Sequence, residues 1–411
     1  MVNAHDINSR SFKEYIEYIH KVEENAELHR AMIASSEFYL SNFENISKKY
    51  NNYLKKLREE VKKIKEYSLN NIDKLIEILR ENLERHGIHF YYAETAEDAR
   101  KIIENIIGDN KNIVKAKSIT LEELEIKEYL KEKGKNVYET VIGDFIVQSL
   151  NTKPSYYTSP ALHVTTEEVS GIIEKASGKK VSPDKVEELV YSIREILRNI
   201  YVKADVGITG ANVIAADPGY IYIIENQNNA RLVAGLPKKH IVVAGIEKIV
   251  PTAIDATKII DLIVKYSGLE AISYISIIGG PSKTGHVGRK LVLGAQGPRE
   301  VHVVILDNGR RKVWEDPILN EVLYCMKCGA CLHLCPIYRL LGCYWNNGDC
   351  LGGIGIVWRY VTGKRDLVYH PALLCIGDQG CIEQCPLGIN IPRMLHEILK
   401  RIHMDVFKES V

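Results

Sequence analysis

Apolar residues in this chain recur every three or four positions over long stretches and cluster in short runs elsewhere, and the two patterns take turns. Residues 53–86 contain no Gly or Pro. Leu54, Leu57, Val61 and Ile64, then Ile72, Leu75, Ile76, Leu79 and Leu83, fall on one face. This spacing predicts one long amphipathic helix with Lys and Glu on its wet faces, a solvated surface rather than a nucleic-acid footprint, and Gly87 as its stop. Residues 1–40 read as helical, including residues 12–16 and an apolar patch at 31–34. They are expected to form an arm packed on the main domain or on a partner, with a partly ordered tail as the competing reading.

Strands and helices then alternate. Residues 88–93 read as a strand, and Thr95-Ala-Glu-Asp98 is a capping box that opens a helix to Ile107. Residues 112–116 are a second strand, Thr120-Leu-Glu-Glu123 caps the next helix, and 136–139 are a third strand. This order predicts an α/β domain with a parallel sheet and helices on its faces. Ser182-Pro183-Asp184 starts a helix to residue 200, residues 240–244 and 301–306 are apolar strands, and Asn308-Gly309 is a turn. Ile391-Pro392 opens a last helix with Met394, Leu395, Ile398, Leu399 and Ile402 on one face.

Composition narrows the reading. At 411 residues, roughly two or three domains are expected. Lys plus Arg (54) nearly equals Asp plus Glu (53), so no basic face for nucleic acid is expected. Apolar runs are too short to span a bilayer. Met1-Val-Asn-Ala-His-Asp does not resemble a signal peptide, so a soluble, cytoplasmic chain is expected. Abundant Tyr (23) against scarce Phe (6), with many Lys, Glu and Ile, fits a heat-adapted source.

The nine cysteines change the picture most, because all of them lie between Cys325 and Cys385. Cys325-Met-Lys-Cys328-Gly-Ala-Cys331-Leu-His-Leu-Cys335-Pro336 is the ferredoxin spacing that holds [4Fe–4S] clusters. Three closely spaced thiolates let a loop wrap a cubane, and Gly329 keeps that loop uncrowded. The fourth cysteine, before proline, ligates the other cluster in two-cluster ferredoxins. A crossed assignment follows. Cys325, Cys328, Cys331 and Cys385 hold one [4Fe–4S] cluster, and Cys335, Cys375 and Cys381 hold a second. The same spacing read back from Cys385 puts Asp378 where a fourth thiolate belongs. Three readings stay open. Asp378 is a hard fourth ligand, Cys343 or Cys350 replaces it, or the corner is vacant, giving a [3Fe–4S] cluster or a labile iron. Zinc is the competing metal, since C-x2-C pairs suit it. Overlapping triplets with two Cys-Pro exits argue against it.

Several segments together resemble one family. They are Glu139-Thr-Val-Ile-Gly-Asp-Phe-Ile-Val-Gln148, Pro154-Ser through Pro160-Ala-Leu-His163, Gly207-Ile-Thr-Gly-Ala-Asn212, Glu225-Asn226, Leu236-Pro237 with His240-Ile241, Gly245-Ile-Glu-Lys248 and Asp307-Asn-Gly-Arg310, followed by the first cysteine run. In this order they resemble the LutB-like iron–sulfur subunit of the lactate-utilisation system, over residues 40–400. The resemblance implies an N-terminal helical arm (1–50), a LUD α/β domain of the isomerase/CoA-transferase-like superfamily (51–312) and a small α-helical two-cluster ferredoxin-type domain (313–411). It implies a role in oxidising L-lactate or another 2-hydroxy acid within a complex, beside a cysteine-rich subunit with CCG motifs and a second, cluster-free LUD protein. This chain departs from the family at Asp378, where the family has cysteine, at Cys375, where it has serine, and at the added Cys343 and Cys350. The family's usual C-terminal extension is also short or absent here.

The clusters supply redox chemistry that side chains cannot, so electron transfer is the leading expectation. A CoA-transferase-like reaction would use Glu225 as nucleophile; the bland reading makes it a hydrogen-bonded strand-end carboxylate. A heterodisulfide-reductase-type complex is a further alternative. His163 and His240 suit carbonyl polarisation, but partly buried, satisfied histidines are the commoner case. Ile278-Gly-Gly-Pro-Ser-Lys-Thr-Gly-His286 matches no phosphate-binding motif and reads as a loop.

Overall fold

The computed structural model describes residues 12–409; residues 1–11 of the expected arm and residues 410–411 lie outside it. The expected alternation of strand and helix is present. In chain order the first six strands are β1 (Ile88–Ala93), β2 (Asn112–Lys115), β3 (Asn136–Glu139), β4 (Val206–Gly210), β5 (Val213–Asp217) and β6 (Tyr220–Glu225). They are followed by β7 (Lys239–Gly245), β8 (Ile249–Thr252), β9 (Tyr274–Ile278), the two-residue β10 (Lys283–Thr284) and β11 (Val292–Leu293), and β12 (Glu300–Leu306). A six-stranded sheet has the order β1-β12-β7-β4-β2-β3, and every pairing in it is parallel. Helices cover both faces, so its central strands are buried throughout. Val242 and Ala244 join an apolar core with Leu75, Leu79 and Leu83 on one face, and Ile241 and Val243 join Ile103 and Ile107 on the other. The Thr95–Asp98 capping box forms as expected.

Several elements differ from expectation. Thr120 is not a cap; it sits buried inside the helix Ile119–Glu123, which Ser118 precedes. Ser182 to Asp184 forms a turn, and the helix begins three residues later, at Val186–Lys203. The helix expected over 53–86 is two helices, Ala26–Asn70 and Ile72–Arg85, broken at Asn71. The apolar spacing runs on through the break, so periodicity does not reveal it. The break lets the two halves serve different cores. Leu54, Leu57 and Val61 pack with the cysteine-bearing region, and Leu75, Leu79 and Leu83 pack on the sheet. The first helix also crosses residue 50, where the arm was expected to end, with a kink at Tyr50. A second, four-stranded sheet of order β8-β5-β6-β9 was not anticipated.

The N-terminal helices pack on the helical C-terminal region of their own chain. Tyr15 Oη donates to the Trp345 carbonyl at 2.6 Å, and Tyr39 stacks on His333 with centroids 3.9 Å apart. Met394, Leu395 and Ile398 of the last helix, Ile391–Glu409, close the same core. Among the described residues no helix is long and apolar enough to cross a membrane.

This helical region sits on the carboxyl ends of the parallel strands, where open α/β sheets ordinarily bind ligands. A buried ion cluster joins the two. Glu247, just past β7, takes Arg310 Nε at 2.5 Å, and Lys327 Nζ stands 3.5 Å from its other oxygen. Arg310 also reaches Glu123 at 2.8 Å, and Lys65 Nζ donates to the Glu247 carbonyl. Burial would raise the Glu247 carboxyl; Arg310, then Lys327, outweigh it and hold it well below the usual carboxylate range. Burial pulls Lys65 down to about 8. Gly245 is required here, because a Cβ would lie 1.9 Å from Glu247 Oε2.

The second departure concerns the expected ligands Cys343 and Cys350. They are bonded to each other as a disulfide across a separation of seven residues, so neither sulfur is free for a metal. Tight local geometry brings them together: the Gly348 N–H donates to the Cys343 carbonyl at 2.8 Å, closing the loop.

Two outcomes are expected. Glu247→Gln leaves Arg310 and Lys327 buried beside a neutral amide and should cost about 3–5 kcal/mol in urea unfolding; a loss within the roughly 0–1 kcal/mol of an exposed pair would show that the cluster does not hold the regions together. Replacing Cys343 and Cys350 together by Ser should cost about 2–3 kcal/mol under non-reducing conditions while bound iron stays unchanged. Falling iron content would return one of them to the ligand set.

Candidate metal centre

The two cysteine runs fold into loops of nearly the same shape. In each, the second residue after the first cysteine is left-handed, Lys327 (φ 59°) and Gly377 (φ 71°), and so is the fourth, Gly329 (φ 82°) and Gln379 (φ 66°). A five-residue helix follows in each, Ala330–Leu334 and Gly380–Gln384. Cys335 and Cys385 then leave in extended conformation toward Pro336 and Pro386. Asp378 occupies the place that Cys328 has in the first loop. Gly329 is needed on two counts, its positive φ and a Tyr157 ring carbon that a Cβ would meet at 2.9 Å.

The loops contribute crosswise. One cavity of about 460 Å³, its mouth included, is lined by Cys325, Cys328, Cys331 and Cys385. A neighbouring one of about 400 Å³ is lined by Cys335, Cys375, Cys381 and Asp378. Cys331, Leu332 and Ile391 line both, so the cavities are adjacent. The walls are otherwise mostly apolar, with Leu351, Ile354 and Leu387 on the first and Trp345 and Leu395 on the second. Neither Cys343 nor Cys350 is among the lining residues.

The donor set fits thiolate-bound clusters. Backbone N–H groups point at the sulfurs: that of Lys327 at Cys325, Ala330 at Cys328, Ile337 and Tyr338 at Cys335, Gly377 at Cys375 and Leu387 at Cys385. Hydrogen bonds to sulfur are one means by which proteins tune such clusters. Among the described residues, no group of three or more His, Cys, Asp or Glu is placed to hold a single metal ion. Burial pushes every free thiol up, Cys335 to about 11 and Cys381 to about 12. A metal must therefore displace protons to bind, and its binding energy becomes folding energy.

The two cavities differ in charge. Among the described residues, Lys327 is the only charged one lining the first, where Lys327 and Lys65 favour the Cys325 thiolate electrostatically and Arg58 does so at Cys385. Arg58 Nε also donates to the Pro386 carbonyl at 2.7 Å. Among the described residues, Asp378 is the only charged one lining the second. That loop is also the more exposed: Ile376, Gly377, Asp378 and Gln379 are all at the surface. Glu247 and Arg310 lie in segments that carry the family resemblance, but neither they nor Lys327 and Arg58 had a role assigned from the sequence. A lysine inside a C-x2-C step was the one local signal available.

The other candidates are engaged elsewhere. Both Glu225 oxygens accept backbone N–H groups, from Ala230 at 2.6 Å and Arg231 at 2.8 Å, so this carboxylate caps the helix Asn229–Gly235. His240 is buried, its Nε2 lies 2.8 Å from Thr209 Oγ1, and burial pushes it down to about 3, which leaves a neutral ring. His163 Nε2 meets Thr152 Oγ1 at 3.2 Å. The Gly-rich segment after β9 is a loop containing β10, which pairs with β11.

Comparison with known proteins gives the same two-part division. Residues 76–306 match the LUD domain and residues 321–389 the 4Fe-4S dicluster domain. A protein of Bacillus velezensis is 35% identical over 361 residues, covering 86% of this chain and 72% of its own length. Proteins of a Geobacillus species (36% over 354 residues) and of Bacillus subtilis (35% over 355 residues) each match over 84% of this chain and 70% of their own. All three are named Lactate utilization protein B. A solved Deinococcus radiodurans structure, a duf162 family protein, covers 57% of this chain and 98% of its own at 14% identity and a TM-score of 0.32, too loose a likeness to add to the fold described. Extent and identity of the sequence matches place the chain, an iron–sulfur protein with a LUD domain, in the lactate utilization protein B family.

Proposed function

We propose that this chain carries electrons through two adjacent clusters, as the iron–sulfur subunit of a complex that oxidises L-lactate or a related 2-hydroxy acid. The observation that carries the reading is the crosswise lining of two neighbouring cavities by cysteines from both runs. In it, Cys325, Cys328, Cys331 and Cys385 hold one [4Fe–4S] cluster. Cys335, Cys375, Cys381 and Asp378 hold the second, with the carboxylate as its weakest ligand. Bound clusters supply one-electron chemistry. The chain's own residues wall the first centre mostly with apolar side chains and set the second beside the exposed residues 376–379. That order suits passage between the two centres and a partner docked at the second. The lactate assignment rests on the names of the relatives. The partners by resemblance are a CCG-motif cysteine-rich subunit and a second, cluster-free LUD protein, and a reducing, cytoplasmic setting suits the seven free thiols. A CoA-transferase reaction at Glu225 is disfavoured, because both of its oxygens are already engaged.

Prepared without oxygen, the chain should hold about eight irons with matching sulfide, and Asp378→Ala about seven. An unchanged count in the variant would remove Asp378 from the ligand set. The isolated chain should not turn over L-lactate. Mixed with its two partner subunits, its clusters should become reduced, by electron paramagnetic resonance, when lactate is added. Lactate turnover by the chain alone, or clusters that stay oxidised in the full complex, would refute the assignment.

A further inference from the structure

The two cysteine loops share a backbone but not a side chain at one left-handed position. The second loop has Gly377 there, the residue that tolerates positive φ without penalty. The first has Lys327, a residue that conformation disfavours. A disfavoured backbone held in place points to a use for the side chain. The Lys327 side chain is only 7% exposed. Its Nζ stands 4.8 Å from the centre of the Trp358 ring and 3.5 Å from Glu247 Oε1, and it makes no hydrogen bond among the described residues. Lys327 lines the first cavity together with Cys325, Cys328, Cys331 and Cys385, and is its only charged lining residue among the described residues. Glu247 does not cancel that charge outright, because Arg310 already holds the same carboxylate at 2.5 Å.

We infer that Lys327 is a potential-setting residue: a buried ammonium, anchored from the LUD domain by Glu247, that raises the reduction potential of the first cluster. The inference rests on the two-cluster reading above. Adding an electron makes a thiolate-ligated cluster more negative. A fixed cation in a weakly screening interior favours that state, and net charge around the cluster is one of the determinants of its potential. The second cavity has a glycine at the equivalent position and a carboxylate, Asp378, in its wall. The lysine is therefore a feature of one centre only. Lys327 does not touch substrate; it acts on the cluster through space and on the loop through its anchor.

The test is a redox titration of the whole, anaerobically prepared chain, followed by electron paramagnetic resonance, with iron and sulfide counted in each sample. Lys327→Gly copies the backbone of the second loop, so it removes the charge while relieving the disfavoured conformation. One of the two midpoint potentials should fall in this variant by at least the equivalent of a tenfold change in that centre's one-electron equilibrium, 59 mV. The other midpoint and the iron count should stay put. Lys327→Arg, which keeps the cation, should restore most of the shift. Unmoved midpoints at full iron content, loss of iron from Lys327→Gly, or an arginine variant that behaves like the glycine one would each overturn the inference. A wild-type chain without iron would instead defeat the cluster reading itself, so the two failures are distinguishable.

Discussion

The arrangement depends on one buried carboxylate, Glu247. It is 1% exposed, and burying an isolated charge there would be prohibitive. Arg310 from the turn after β12 and Lys327 from the first cysteine loop remove that penalty together. Arg310 has a second carboxylate in Glu123, to which it is bonded through both oxygens, so Glu247 is the carboxylate it shares with Lys327. The ion cluster thus specifies geometry more than it adds stability, the role for which buried ion groups are best attested. It ties the carboxyl ends of β7 and β12 to the loop around the first cavity. The usual ligand crevice of the sheet and a redox centre are therefore neighbours that share their charges.

A second constraint is the close match between the two cysteine loops. The same sequence of left-handed residue, left-handed residue, short helix and extended cysteine appears twice. The sulfur of each final cysteine faces the cavity of the opposite run. Neither site can be complete without both runs, so the chain from Cys335 to Cys375 must fold back to close them. The disulfide Cys343–Cys350 and the buried Trp345, whose Nε1 donates to the Pro371 carbonyl at 2.9 Å, hold that intervening stretch. Because buried thiols resist ionisation, the cavities and their metal are expected to form together.

Much of this was legible beforehand, and the reasons are local. The parallel sheet was readable because its strands are short apolar runs between capped helices. The crosswise placing of Cys335 and Cys385 in the cavity walls was readable because a proline after the fourth cysteine turns the chain away. The break at Asn71 was not, since apolar residues keep their spacing on both sides and only the different cores they meet tell the halves apart. Thr120 looked like a cap because its spacing to Glu123 is right, yet the helix starts one residue earlier. Cys343 and Cys350 looked like spare ligands because a sequence shows thiols and not their neighbours.

What the sequence determined by itself is chemistry that lives in short windows: which cysteines come together in loops, which runs form strands and helices, and that Asp378 stands where the spacing calls for a cysteine. Spacing within a dozen residues settles such matters, because the backbone between them has few ways to go. What only the tertiary structure decided is which distant charges meet. Lys65, Glu123, Glu247, Arg310 and Lys327 are scattered over more than half the chain, and no spacing between them shows that they meet. They become one site because folding buries them side by side, and burial is a property of the folded chain alone.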